Sequence, residues 1–417
     1  MLRLYRAVII GGLALLVVLL TCSPLWHISA SERVVSAWRP TAGPVVSVVR
    51  AAPASGGAGA PPAAAPSPAP AQPTAIPAPE IVAAAAPQPV PEDHQLATAI
   101  DTYLSGLVDQ QYFQGAVLVA RGGRVILSKG YGMADAARGT PNTPQTRFRL
   151  ASVSKQFTAT AIMILQARGK LSVQESICAY LDACPDAWRA ITVEQLLTHT
   201  SGLPNYTDFG SYDPSQAQAT TPDELIGRFR DLPLLFAPGS AYMYENSDYV
   251  LLGKIVERVS GQPYADFLRD AIFGPLGMRD SGVAAGTEPG DGFAAGYRVF
   301  GELAPPLDPS TLFGAGALYS TVEDMYRWDQ ALYAGRLLPQ ALLDQMWTPR
   351  QSSYGYGWRI DSAFGRRRIT HPGLIDGFQT SIARFPDERV TVIVLSNMSG
   401  GDVDGVSYFI SSLVFGG

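Results

Sequence analysis

The stretch Leu150–Gln166 reads LASVSKQFTATAIMILQ, and its two readings lead to different molecules. In the plain one, Ser152 or Ser154 is a helix N-cap, where a hydroxyl satisfies a free backbone N–H, and Lys155 is solvated. The lysine argues against it, because a cation in the first helical turn opposes the helix macrodipole unless something else holds it. Lysine is also scarce: Lys129, Lys155, Lys170 and Lys254 are the whole set, and only Lys155 has a serine three residues before it. Residues i and i+3 share a helix face, so Ser152 and Lys155 can meet while Ser154 points elsewhere. In this second reading Ser152 is a nucleophile at a helix start, where unpaired N–H groups can stabilise an oxyanion. Lys155, partly desolvated beside the positive helix end, then loses its proton readily and serves the serine as base or relay.

Two further stretches bear on the choice. FAPGSAYMYENSDYVLLG carries Tyr244-Glu245-Asn246 directly before a helix. A tyrosine hydroxyl beside a lysine ammonium shifts toward phenolate and can relay protons. An asparagine amide can serve a lysine-bound network and a substrate carbonyl. Glu245 either faces away from such a site or adds charge at its rim. In THPGLIDGF (Thr370–Phe378), His371 is expected at a strand edge, and Gly373 and Gly377 allow close backbone approach. An edge strand can bind substrate by main-chain pairing and donate an N–H to an oxyanion hole. Taken singly, each has an ordinary reading as a loop tyrosine, an N-cap asparagine or a surface histidine.

Together and in this order, Ser152-Val-Ser-Lys155, Tyr244-Glu-Asn246 and His371-Pro-Gly373 resemble the S-x-x-K, Y-x-N and K/H-x-G triplet of class C β-lactamases, serine D,D-peptidases and related esterases. LLTHTSGLP (Leu196–Pro204) and GAGALYSTVEDMYRW (Gly314–Trp328) add to the resemblance, which spans about residues 95–415. It implies a β-lactamase/transpeptidase-like fold and acyl transfer without a cofactor. Ser152 would attack an acyl carbon, and Lys155 and Tyr244 would shuttle its proton to the leaving group. The N–H groups of Ser152 and Leu374 would form the oxyanion hole. Asn246 would hold Lys155 and orient the substrate, and His371 with Gly373 would stand where the lactamases set a lysine against the substrate carboxylate. Histidine gives that carboxylate a weaker field. The resemblance therefore points to the H-x-G branch, with D,D-peptidases, D-aminopeptidases and esterases, acting on small esters, amides or D-amino-acid peptides. The alternatives are a β-lactamase proper and a non-catalytic acyl-binding sensor of the same fold. His199 is expected to order a loop, and the aromatics of YGYGW to be core or groove wall.

Outside these motifs the pattern sets the architecture. Leu96, Ile100, Leu104 and Leu107 recur with a helical period, and two strand-like runs flank a Gly122–Gly123 turn. Capping signals at Thr192/Gln195 and Ser320/Glu323 begin helices in a mostly helical middle. YGYGWRI, RRRITH, GFQTSIARF and RVTVIVLSN then read as strands before a closing helix. The simplest solution is an α/β (α+β) fold with one antiparallel sheet drawn from both chain ends. Terminal helices would cover one face and the helical middle the other.

The chain has 417 residues, 47% of them hydrophobic, and a net charge of −5, which offers nucleic acid no basic surface. Arg3 and Arg6 precede an apolar run, Ala7–Leu20, so residues 1–30 read as an export signal or a membrane anchor. Retained, it would leave the remainder facing outward; cleaved near Ile28–Ala30, it would release a secreted protein. Residues 31–93 are Pro/Ala-rich, lack core-forming side chains and read as a disordered tether; residues 94–417 are expected to form the hydrolase domain that the resemblance implies. Cys178 and Cys184 are close enough to form a disulfide in an oxidising compartment, and would otherwise be two buried thiols. With no CxxC pair and no histidine cluster, no metal is expected. The expected partners are a small-molecule or peptide substrate and, through the leader, a membrane.

Overall fold

Helix α1 (Pro91–Asp109) opens the part of the chain that the computed structural model describes, residues 91–286 and 290–416. Its first turn lies on the linker side of the boundary expected at His94. A proline at the helix start and acids in the first turn suit a helix N-terminus. Asp93 is buried in ion pairs with Arg121 and Arg124, which fastens this turn to the hairpin that follows. The apolar leader and the Pro/Ala-rich stretch up to Val90 lie outside the described residues. Among the described residues no helix is long and apolar enough to cross a membrane.

Strands β1 (Gly115–Arg121) and β2 (Arg124–Tyr131) form the expected hairpin. Gly122 and Gly123 turn it with φ of 60° and 77°, the left-handed pair that a two-residue hairpin loop with the right twist requires. The other four strands come from the C-terminal end: β3 (Arg359–Ala363), β4 (Arg366–Ile375), β5 (Phe378–Phe385) and β6 (Val390–Ser396). The sheet order is β3-β4-β5-β6-β1-β2, antiparallel throughout, with β1 closing against β6 from Gly115↔Ser396 to Arg121↔Val390. YGYGW is loop, and the first edge strand begins only at Arg359.

Side chains alternate across this sheet, as period-2 patterning demands. Val117, Val119, Val392 and Val394 face α1 and the closing helix, together with Ile100, Leu104, Val406 and Ile410. Leu118, Ile382, Ile393 and Leu395 face the helical middle, with Phe157, Leu251 and Trp328. Each such side chain, fully withdrawn from water, contributes about 1.5–3 kcal/mol. The middle layer includes α2 (Lys155–Ala167), α3 (Ser247–Ser260) and α4 (Val322–Tyr333), and α5 (Val403–Phe415) closes the chain. Capping boxes sit at Thr192/Gln195 and Thr221/Glu224. At α4 the cap is Thr321, whose hydroxyl accepts from Asp324 N–H; Ser320 instead ends the short strand Leu318–Ser320 and bonds Ser281. Cys178 and Cys184 are joined as a disulfide with Cα atoms 5.3 Å apart.

Candidate active site

Ser152 occupies a turn of 3-10 helix, Ala151–Ser154, that leads into α2. The turn is entered sharply. Ala151 has φ of 49°, a left-handed conformation that costs a non-glycine residue about 1–2 kcal/mol. Residues i and i+3 eclipse in a 3-10 turn, which brings Lys155 directly over Ser152. From Ala151 to Leu165 every residue but Ser152 is buried. Ser154 points away, and its Oγ accepts a hydrogen bond from Leu318 N–H at 3.1 Å. The spacing argument thus selects the serine that is accessible.

Lys155 is fully buried, and its Nζ meets three oxygens: Ser152 Oγ at 3.1 Å, Asn246 Oδ1 at 2.7 Å and the Ala315 carbonyl at 2.9 Å. Burial lowers its pKa to about 7, against the opposing pull of Glu245 and Asp248. Two of the three partners are carbonyl oxygens that can only accept, and the third is a hydroxyl that can donate. As an ammonium Lys155 donates to all three; once neutral, it keeps its two N–H bonds on the carbonyls and turns its lone pair to Ser152 Oγ. Asn246 sits at the start of α3 and is itself fixed, its Nδ2 donating to Thr207 Oγ1 at 3.1 Å.

Tyr244 brings its hydroxyl to Ser152, and its ring lies 5.0 Å from Lys155 Nζ. Its protonation runs opposite to the sequence expectation. Burial raises the phenol well beyond the ordinary tyrosine range, more than the Ser152 hydrogen bond lowers it, so Tyr244 is a phenol and Lys155 is the group poised to be neutral. Glu245 is not at the rim; it is buried, with its carboxylate accepting from Asp248 N–H at 2.9 Å. His199 is buried too; its Nδ1 accepts from Glu245 N–H at 3.4 Å, and its carbonyl accepts from Met243 N–H, so the two loops are tied together here.

His371 lies on β4 just past the last residue paired with β3 (Thr370), so His371–Ile375 form a free edge of the sheet. Its Nδ1 faces the Pro372 carbonyl at 2.6 Å, which makes that nitrogen the donor, so Nε2 accepts from the Tyr354 hydroxyl at 2.8 Å. Burial, with Lys155 nearby, lowers its pKa to about 3, so it is a neutral imidazole and carries no charge for a substrate carboxylate. Gly373 is where β4 touches the serine turn: a Cβ there would lie 2.4 Å from Leu150 O and 3.2 Å from Ala151 Cβ. Leu374 follows with its side chain 61% exposed. The sequence-predicted residues are therefore brought together around one serine.

Tyr354 was assigned only to core or wall. It is fully buried, holds His371 and packs edge-on to His199 and Tyr244. The glycines of YGYGW carried the missed signal: a Cβ on Gly357 would strike Lys155 O at 2.7 Å, so this loop lies on the backbone of the lysine itself. Among the described residues, one set could offer ligands to a metal: His199, Glu245 and Asp248, with ligand atoms within 4.8 Å of one another.

A family model described as Beta-lactamase matches residues 100–412. Penicillin-binding protein 4* of Bacillus subtilis (strain 168) is 32% identical over 322 residues, covering 72% of this chain and 71% of its own length. A D-aminopeptidase of Brucella ovis is 30% identical over 313 residues, covering 70% of this chain but only 57% of its own. Among solved structures, D-amino acid amidase from Ochrobactrum anthropi SV3 with bound D-phenylalanine matches with a TM-score of 0.68 and 25% identity, over 77% of this chain and 99% of that one.

Proposed function

Since the chain belongs to the beta-lactamase family of serine hydrolases, we propose that Ser152 is its nucleophile and that it hydrolyses amide or ester bonds of small D-amino-acid-containing substrates through an acyl-enzyme. The observation that carries this reading is the buried Lys155, whose Nζ stands 3.1 Å from Ser152 Oγ with two carbonyls fixing its other contacts. Neutral Lys155 takes the hydroxyl proton as Ser152 attacks the acyl carbon. The N–H groups of Ser152 and Leu374 receive the oxyanion. Tyr244, a phenol, delivers its proton to the leaving nitrogen or oxygen and is reprotonated from Lys155. Water then repeats the sequence to release the acid. Asn246 keeps Lys155 in register, and His371 with Gly373 shapes the strand edge along which the substrate lies.

The neutral His371 favours substrates without a carboxylate on the leaving-group side, such as amino amides and esters, over β-lactams. The Brucella ovis relative named a D-aminopeptidase and the Ochrobactrum anthropi D-amino acid amidase support the same preference. We infer from the apolar leader and the Pro/Ala-rich segment that the domain works outside the membrane, tethered or released. The test is a hydrolysis panel of D- and L-amino acid amides, D-alanyl peptides, p-nitrophenyl esters and a chromogenic cephalosporin. Amides and esters are expected to turn over faster than the cephalosporin, with all turnover lost in Ser152→Ala. A cephalosporin hydrolysed faster than every amide and ester would overturn the substrate assignment.

A further inference from the structure

Asn246 is an amide, so it could present either an acceptor or a donor to Lys155. With Oδ1 inward, as it stands at 2.7 Å, it accepts from Lys155 and leaves the lone pair of the neutral amine to Ser152. Turned over, Nδ2 would press a donor against the ammonium, or would take the lone pair of the neutral amine and so block the base. The direction of this one amide therefore decides whether Lys155 can serve Ser152.

That direction is set by a short loop, residues 204–208, that lies outside the three motifs. Asn205 heads the 3-10 turn Tyr206–Asp208, where an asparagine commonly caps its own helix, but its side chain makes no capping bond. Its Oδ1 instead accepts from Asn246 N–H and from Thr207 Oγ1, both at 3.0 Å, and its Nδ2 donates to Asp208 Oδ1 at 2.8 Å. A backbone N–H can only donate and a carboxylate can only accept, so both ends hold Asn205 the same way round. Thr207 has one hydroxyl hydrogen and gives it to Asn205. Its lone pairs then face Asn246 Nδ2 at 3.1 Å, so the Asn246 amide meets Thr207 with its donor and Lys155 with its acceptor. Ser247 clamps the loop to the start of α3: its hydroxyl donates to Pro204 O at 2.7 Å and accepts from Tyr206 N–H at 3.1 Å. Every donor in the chain from Lys155 to Asp208 thus points outward from the lysine.

We propose that Thr207, set by Asn205 and Asp208, is a positioning residue that fixes the direction of the Asn246 amide and so keeps the lone pair of Lys155 on Ser152. This role presupposes Lys155 as the base of Ser152, and Thr207 acts only through Asn246.

The experiment compares wild type, Thr207→Val and Thr207→Ser. Valine keeps the shape of a half-buried side chain but removes both the acceptor for Asn246 and the donor to Asn205. For ester hydrolysis kcat should fall about 10- to 100-fold, part of the roughly 100- to 10,000-fold that a general base supplies, with KM nearly unchanged. The rate of fluorophosphonate labelling of Ser152 should fall by a similar factor, because labelling needs the activated serine but no substrate contact from Thr207. Thr207→Ser, which keeps the hydroxyl, should recover both rates. In an Asn246→Ala background the Thr207→Val change should alter the labelling rate by less than about 2-fold, since residues acting through one partner are not additive. Undiminished turnover by Ser152→Ala would mark failure of the acyl-enzyme reading itself. An inactive Ser152→Ala beside a Thr207→Val with wild-type kcat would overturn the role of Thr207 alone. A loss confined to KM, a Thr207→Ser as impaired as Thr207→Val, or a full loss that persists in Asn246→Ala would also overturn it. If Thr207→Val does not fold, Asn205→Ala, which removes the acceptor of the Thr207 hydroxyl, is read by the same two rates: a fall in both supports the role, and wild-type rates overturn it.

Discussion

At the scale of single residues, the site depends on which group is charged. Residue positions were legible in the sequence because i,i+3 spacing is a local property: it picked Ser152 over Ser154 and joined it to Lys155. Protonation was not legible, because burial by distant elements sets it. Tyr244 was expected to drift toward phenolate beside a lysine, yet its burial outweighs that pull. His371 was expected to lend a weak positive field, but its pKa falls to about 3 from an ordinary 6.5. That shift has a stability consequence with a definite sign. Between pH 6.5 and 3 the unfolded chain protonates this histidine and the folded protein does not, so folding loses stability as pH falls through this window. Melting temperatures from pH 7 to 4 are expected to fall less steeply in His371→Gln than in wild type. Equal slopes would mean that His371 is not held neutral.

At the scale of elements, the site forms where the serine turn meets the free edge of β4. Thr380 on β5 donates to Leu150 O at 2.7 Å, and Gly373 fills the remaining space beside Ala151. The sequence showed that glycine was needed at this edge, but not which backbone it had to admit. Gly373→Ala drives a methyl group into Leu150 O and Thr380 Oγ1 and should push the strand edge off the serine turn. A misplacement of about 1 Å lowers turnover by roughly 100-fold, so kcat/KM should fall by about that factor while far-ultraviolet circular dichroism keeps its native shape. Retained activity in Gly373→Ala would show that the edge does not register the serine. The same logic explains Tyr354, missed because its role depends on a loop folding back over Lys155 from about 200 residues later in the chain.

At the scale of the whole domain, the two chain ends build the sheet and the segment between them builds the layer that carries Ser152, Lys155, Tyr244 and Asn246. Alternation in the strands and helical periods in the flanking segments made that plan readable from sequence. The start of α1 was obscured by the proline-rich composition that runs into it, although Glu92 and Asp93 carry the N-terminal acid signal. The proposed catalysis needs both layers docked, and the buried Arg384–Asp329 ion pair is one tie between β5 and α4. The most direct test of the account is mass spectrometry of the protein after fluorophosphonate treatment, with the adduct mapped by peptide. The account predicts one adduct on the peptide that contains Ser152, retained in Ser154→Ala and absent from Ser152→Ala. An adduct undiminished in Ser152→Ala, or mapped to another residue in wild type, would contradict it.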